Sequence, residues 1–131
     1  MKLKYLVLLS LVICLVFYVL LSSTSFSNFL TNQVFKYKDR PWAPKAHYLI
    51  AMYTYRVNNY QQAVNLFEMI QREYPQSEYV LPCKLKIAQT YDNMEQTGKA
   101  KGLYIALNTE YPNTPEGEAA RQRLKVLELP Y

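Results

Sequence analysis

The sequence predicts an all-α protein: an N-terminal transmembrane helix followed by a short α-solenoid of two helical hairpins and a C-terminal capping helix. Three observations carry that expectation. An unbroken apolar run covers Tyr5 to Leu21, the rest of the 131-residue chain matches itself at an offset of 37 residues, and apolar side chains in each unit recur at helical spacing. Composition agrees, since 50% of the residues are hydrophobic, 19% are charged and only 3 are Gly, which excludes a disordered or low-complexity chain. The two cysteines, Cys14 in the apolar run and Cys83 far downstream, supply neither a disulfide framework nor a Cys-based zinc site.

Lys2 and Lys4 precede the apolar run, and Ser10 and Cys14 are its only weakly polar interruptions. Rising 1.5 Å per residue, such a helix covers about 26 Å, close to the lower limit for a bilayer core. Residues 1–22 therefore read as a signal anchor. A cleaved signal peptide is the alternative, with Ser23-Thr24-Ser25 or Ser25-Phe26-Ser27 as small residues for cleavage, although such apolar centres usually run only about 7 to 15 residues. Leu11-Val12-Ile13-Cys14 resembles a bacterial lipobox, except that Ile13 stands where a small residue is normal. Lys2 and Lys4 lie closer to the run than Lys36, Lys38 and Arg40, which favours a cytoplasmic N-terminus. The folded part is then expected on the periplasmic side of an inner membrane, or secreted if cleavage occurs.

Residues 23–43 read as a linker. Phe26, Phe29 or Leu30, and Val34 recur at helical spacing, so this segment is expected to be a helix that continues from the membrane or lies at its surface, or else to cover an end of the following domain. Arg40-Pro41-Trp42-Ala43-Pro44 closes it, because proline fixes the backbone and favours a nearby helix start, and the repeat domain is expected over 44–131.

The offset of 37 residues aligns Ile50-Ala51 with Ile87-Ala88, Ala63 with Ala100, Phe67 with Tyr104, and Glu73-Tyr74-Pro75 with Glu110-Tyr111-Pro112. His47 to Arg56 and Leu85 to Asn93 are the first helices of the two hairpins. Tyr60, Ala63, Val64, Phe67, Ile70 and Tyr74 trace one face of a second helix, as do Ala100, Leu103, Tyr104, Leu107 and Tyr111. Asn58-Asn59 and Gln96-Thr97-Gly98 are the expected turns. Tyr-Pro ends each unit, Ser77 and Thr114 stand as helix caps, and Glu116, Gly117 and Glu118 open a last helix through Ala120, Leu124 and Leu127. Pro82 leaves the start of its helix open.

These units resemble tetratricopeptide repeats, whose pattern has a Leu-Gly-like pair, a Tyr three later, an Ala, an aromatic four later and a closing Pro. The matching positions are Ile87, Ala88, Tyr91, Ala100, Tyr104 and Pro112 in the second unit, and Ile50, Ala51, Thr54, Ala63, Phe67 and Pro75 in the first, where Thr54 replaces the Tyr. The longer period and the Tyr-Pro-x-Ser/Thr junctions are similar to tetratricopeptide-like domains of bacterial envelope proteins of the BamD and CpoB type. The resemblance implies a helical scaffold that holds other proteins, here an accessory or assembly subunit of an envelope membrane complex. It also implies a groove lined by the first helices, on which Tyr48, Met52, Tyr55, Arg56, Gln89, Asp92 and Asn93 are the expected partner contacts. Such short stacks are marginal alone, so self-association through exposed ends is the alternative.

No catalytic constellation, cofactor motif or metal set is expected. His47 has no acid or thiol at useful spacing and reads as structural; Gly98 and Gly102 flank two lysines without the strand and terminal Gly-Lys-Ser/Thr of a phosphate loop. Glu68, Glu73, Glu110, Glu116 and Glu118 are scattered on polar faces. Setting Lys2 and Lys4 aside leaves 13 Lys and Arg against 10 Asp and Glu, and the two signs alternate, which argues against nucleic acid as a partner. Lys36, Lys38, Arg40 and Lys45 do cluster near the membrane, where they suit either anionic lipid or a stop-transfer role.

Overall fold

A computed structural model describes residues 2–21 and 23–128. Met1, Ser22 and 129–131, at which the expected anchor and repeat domain begin or end, lie outside the described residues. Among the described residues the chain is wholly helical: α1 (Lys2–Leu21), α2 (Thr24–Phe35), α3 (Ala43–Arg56), α4 (Tyr60–Glu73), α5 (Val80–Asn93), α6 (Thr97–Glu110) and α7 (Pro115–Leu127).

Helix α1 packs little against the other helices and touches them at its last residue, Leu21. Its stretch Lys4–Leu21 has a mean hydropathy of 2.5, is long and apolar enough to cross a membrane, and buries none of its residues in the chain. Covering one Leu-sized side chain is worth roughly 1.5–3 kcal/mol, so an apolar surround would stabilise this helix.

The repeat is regular. α3 and α5 are displaced by 37 residues along the chain, and so are α4 and α6. Both first helices start earlier than expected, at Ala43 and Val80, because Pro44 and Pro82 fall in their first turns, where a missing N–H costs nothing. Asn58-Asn59 turns the first hairpin as expected. The second turn corrects the expectation of Gln96-Thr97-Gly98: Thr97 and Gly98 already belong to α6. The chain reverses instead at Glu95, whose φ of 59° matches the 61° of Asn58. In both turns the next amide reaches back into the first helix, Asn59 N–H to Thr54 at 3.1 Å and Gln96 N–H to Tyr91 at 2.9 Å.

Tyr74 and Tyr111 end α4 and α6 with nearly the same backbone geometry, and Pro75 and Pro112 follow, exposed, stopping the helices without packing on the core. Thr114 caps α7, its hydroxyl accepting from Gly117 N–H at 3.1 Å, with Glu116 and Glu118 in the first turn. Ser77 is not the corresponding cap. It accepts from Tyr79 N–H at 3.2 Å in a turn ahead of α5, and Tyr79 occupies the cap position.

The core is built on small residues. Ala51, Ala63, Ala88, Ala100 and Ala120 are fully buried, letting helices approach closely, while Phe67, Ile70, Ile87, Tyr104 and Leu107 fill the space between them. Ile50 and Tyr91 are half-buried against that core.

The segment between α1 and α3 contains α2, which runs antiparallel to α3 and packs on it. Phe26 meets Tyr53 edge to face with ring centroids 6.4 Å apart, and His47 Nε2 lies 3.3 Å from the Thr31 carbonyl. Helix α2 thus covers the first end of the stack by packing on α3, as one of the expectations for residues 23–43 has it. Shifted by 37 residues, Thr24–Phe35 falls within the span of α4, so α2 takes the place of a second helix in a preceding half-repeat, and Tyr37 aligns with Tyr74 and Tyr111. Six helices, α2 to α7, therefore stack in place of five. That is three hairpins' worth, about the number at which repeat stacks become self-supporting.

Candidate partner-binding cleft

First helices α3, α5 and α7 converge on a cleft of about 400 Å³ lined by Tyr55, Gln89, Asp92, Asn93, Tyr104, Ala119 and Arg123. The repeat period brings them together, since Tyr55 and Asp92 occupy the same position in successive units. Asp92 is the centre. Its side chain is 12% exposed, and Oδ2 accepts from Arg123 Nε at 2.6 Å and from the Tyr104 hydroxyl at 3.3 Å. Asn93 Nδ2 donates to the Tyr55 hydroxyl at 2.8 Å, linking α5 to α3 across the wall.

Electrostatics differ between the floor and the rim. At the floor, burial first and the Asp92 charge second push the Tyr104 hydroxyl well above the usual tyrosine range, so it stays protonated and donates. At the rim, Lys86 Nζ donates to Gln89 Oε1 at 2.9 Å and lies 5.4 Å from the centre of the Tyr55 ring. Burial, and then the like charge of Arg56, lower the Lys86 ammonium below its ordinary value. An anionic group bound at this rim would relieve that repulsion. The cleft thus presents the amide side chains of Gln89 and Asn93, the ring of Tyr55 and, at its edge, the cations of Arg56 and Lys86.

Four of the seven expected contacts, Tyr55, Gln89, Asp92 and Asn93, line this cleft, and Arg56 is exposed at its edge. Tyr48 and Met52 lie elsewhere. The Tyr48 ring packs between units, 5.0 Å from Tyr79 and 6.1 Å from Phe67 between centroids, and Met52 packs half-buried on the core of the first unit. Sequence reasoning missed Lys86, Ala119 and Arg123, and it assigned Tyr104 to packing alone. A signal was present: Leu49, Lys86 and Arg123 are spaced by 37 residues, so carrying the offset into the last helix reaches Arg123.

Elsewhere, His47 is fully buried and structural, held between Thr31 and Tyr74. Cys83 is buried too, and burial pushes its thiol up to about 12, which leaves it protonated and unreactive at neutral pH.

Antiparallel helix pairs repeating at a constant period, with matching turns and closing tyrosines, define a helical-repeat scaffold. The tetratricopeptide repeat family model matches residues 45–77 and 83–114, so the chain carries two tetratricopeptide repeats, α3 with α4 and α5 with α6. Repeats of this kind are typically non-catalytic modules for protein–protein interaction. No curated protein matches the chain.

Proposed function

We propose that the protein is a membrane-anchored scaffold, an accessory or assembly subunit of a bacterial envelope membrane complex, in which α1 is the anchor and the cleft of α3, α5 and α7 holds a partner polypeptide. The repeat domain then lies on the periplasmic side, as the flanking lysines favour, and kinship with BamD- and CpoB-type envelope domains is part of the same reading. The observation that carries it is the pairing, in one chain, of an apolar helix with no cover of its own and a polar cleft built from three successive first helices.

Affinity capture from native membranes in mild detergent, run beside a Lys86→Glu and Arg56→Glu double variant, tests this reading. The expected result is a partner recovered with the wild-type chain and lost with the variant. Recovery of the wild type as a solitary monomer, or equal recovery of the partner by both, would overturn it. A second reading is self-assembly through the stack ends, favoured by the exposure of Val126 on α7; a mass measurement of the purified chain separates the two.

A further inference from the structure

We propose that the apolar edge of the α2–α3 hairpin, formed by Phe26, Phe29, Leu30, Leu49 and Tyr53, is seated in the lipid interface of the bilayer that α1 enters. This rests on the membrane-anchor reading and adds to it: the repeat stack sits on the membrane surface, in place of hanging from a loose tether.

A cleft of about 280 Å³ opens between α2 and α3, lined by Leu21, Phe26, Leu30, Leu49, Ile50 and Tyr53, without a charged group. Leu21 is the last residue of the apolar span. A cleft that includes it lies at the boundary of the hydrocarbon layer when α1 spans that layer. The Tyr53 hydroxyl donates to the Leu21 carbonyl at 2.9 Å, which satisfies one of the carbonyls left open at the end of α1 and fixes α3 directly beside the point of exit. A tyrosine with its ring on an apolar cleft and its hydroxyl on a helix end is suited to the bilayer interface.

The repeat period shows what is unusual here. Phe26 and Leu30 stand 37 residues before Ala63 and Phe67, which are fully buried, yet both remain half-exposed. In the complete units a first helix covers this face of the second; for α2 the preceding helix is α1, which departs into the apolar span. One position is more telling. Lys86 on α5 and Arg123 on α7 are cations, and the equivalent on α3, the first helix nearest the span, is Leu49, 58% exposed. The pattern replaces a cation by an exposed apolar side chain at the end of the stack where lipid is expected. Helix α2 supports this, since its 12 residues carry no charge and Phe29 is 57% exposed. Lys45, one turn before Leu49 and exposed, is placed to reach lipid phosphates. A protein occupant is the less favoured cover, because the cleft offers neither charge nor polar pairing for specificity beyond the Tyr53 hydroxyl, already committed to Leu21.

The test uses the full chain reconstituted into phospholipid vesicles, with brominated acyl chains as quencher of tryptophan emission and Trp42→Phe as background. Single tryptophans are placed by Leu49→Trp, Phe29→Trp, Val12→Trp in the span and Ile105→Trp on α6, and helix content is checked for each. Brominated lipid is expected to extinguish emission from Val12→Trp, Leu49→Trp and Phe29→Trp and to leave Ile105→Trp unchanged. Quenching at Val12 with none at positions 49 and 29 would overturn the proposal while leaving the anchor intact; aqueous iodide then tells whether water or a second copy of the chain covers the edge. Loss of quenching at Val12 as well would overturn both. Should Leu49→Trp alone fail to fold, the conservative Phe29→Trp reads the same surface.

Discussion

The Tyr74 hydroxyl stands 2.9 Å from Nδ1 of the buried His47, and 37 residues on the same geometry recurs, with Lys84 Nζ donating to the Tyr111 hydroxyl at 3.0 Å. Each closing tyrosine thus ties the end of its second helix to the start of its first. In the first unit the tie extends further. His47 Nε2 faces the Thr31 carbonyl and so carries the proton, which leaves Nδ1 to accept from Tyr74 O–H and joins α2, α3 and α4 through one ring. Tyr74→Phe strands a buried acceptor and is expected to cost about 1–3 kcal/mol. Tyr111→Phe should cost roughly 1 kcal/mol or less, because the partly exposed Lys84 keeps water and the Glu110 carboxylate at 3.5 Å. Chemical unfolding of the two variants in detergent checks the order.

The same ring makes stability depend on pH. Burial, outweighing the Thr31 carbonyl and the Glu73 charge, holds the His47 pKa below its ordinary 6.5. With the folded pKa lowered, the unfolded chain binds the extra proton first, so the contribution is complete above pH 6.5 and fades as pH falls through the lower folded value. Thr31, Glu73 and Tyr74 are the groups that face it, and none offers a buried counter-charge in direct contact. Thermal unfolding at pH 7.5 and pH 5 is expected to show a loss of stability in acid that His47→Gln removes. An unchanged slope in that variant would assign the acid sensitivity elsewhere.

Glycines in the second half of the stack make opposite predictions. A Cβ at Gly117 would lie 1.9 Å from the Tyr111 carbonyl oxygen, so α7 comes against the end of α6 only because the side chain is absent. Gly117→Ala is expected to lower the melting temperature despite alanine's helix advantage of about 1 kcal/mol. At Gly102, inside α6, an added Cβ meets nothing within 4 Å, and Gly102→Ala should raise stability by about 1 kcal/mol. Paired melts of the two variants read the signs directly.

Much of this architecture is legible in the residues because side-chain size and period leave few alternatives. Ala63 beneath Ala51, and Ala100 beneath Ala88, require close helix approach, and the offset of 37 residues places every helix of the two full units. The half-repeat at α2 was hidden because Phe26 stands where the other units have alanine, and Lys38 stands where they have the closing proline. The cleft was half legible: its α5 residues follow from the period, but Arg123 lies on α7, beyond the two full units that the offset aligns. Tyr48 and Met52 misled for a geometric reason, since a turn or less of rotation separates a groove-facing residue from one packed between units.

The second turn falls before its expected place because Gly98 signals a bend in the sequence, whereas the left-handed position belongs to Glu95. Backbone geometry there is set by the tertiary pairing of α5 and α6, and glutamate is held against its preference. The first turn has Asn58 at the equivalent site, a residue whose short side chain tolerates that conformation and whose Oδ1 also accepts from the Tyr60 hydroxyl at 2.8 Å. Exchanging the two identities probes the backbone term, since both positions are exposed. Glu95→Asn is expected to stabilise by about 0.5–1 kcal/mol, a fraction of the roughly 1–2 kcal/mol left-handed penalty for an ordinary side chain. Asn58→Glu should destabilise by at least as much, because it loses the Tyr60 contact as well. Urea midpoints that move in these opposite directions, with unchanged slopes, would locate strain in the second turn; a destabilised Glu95→Asn would show that the glutamate is retained for a contact of its own.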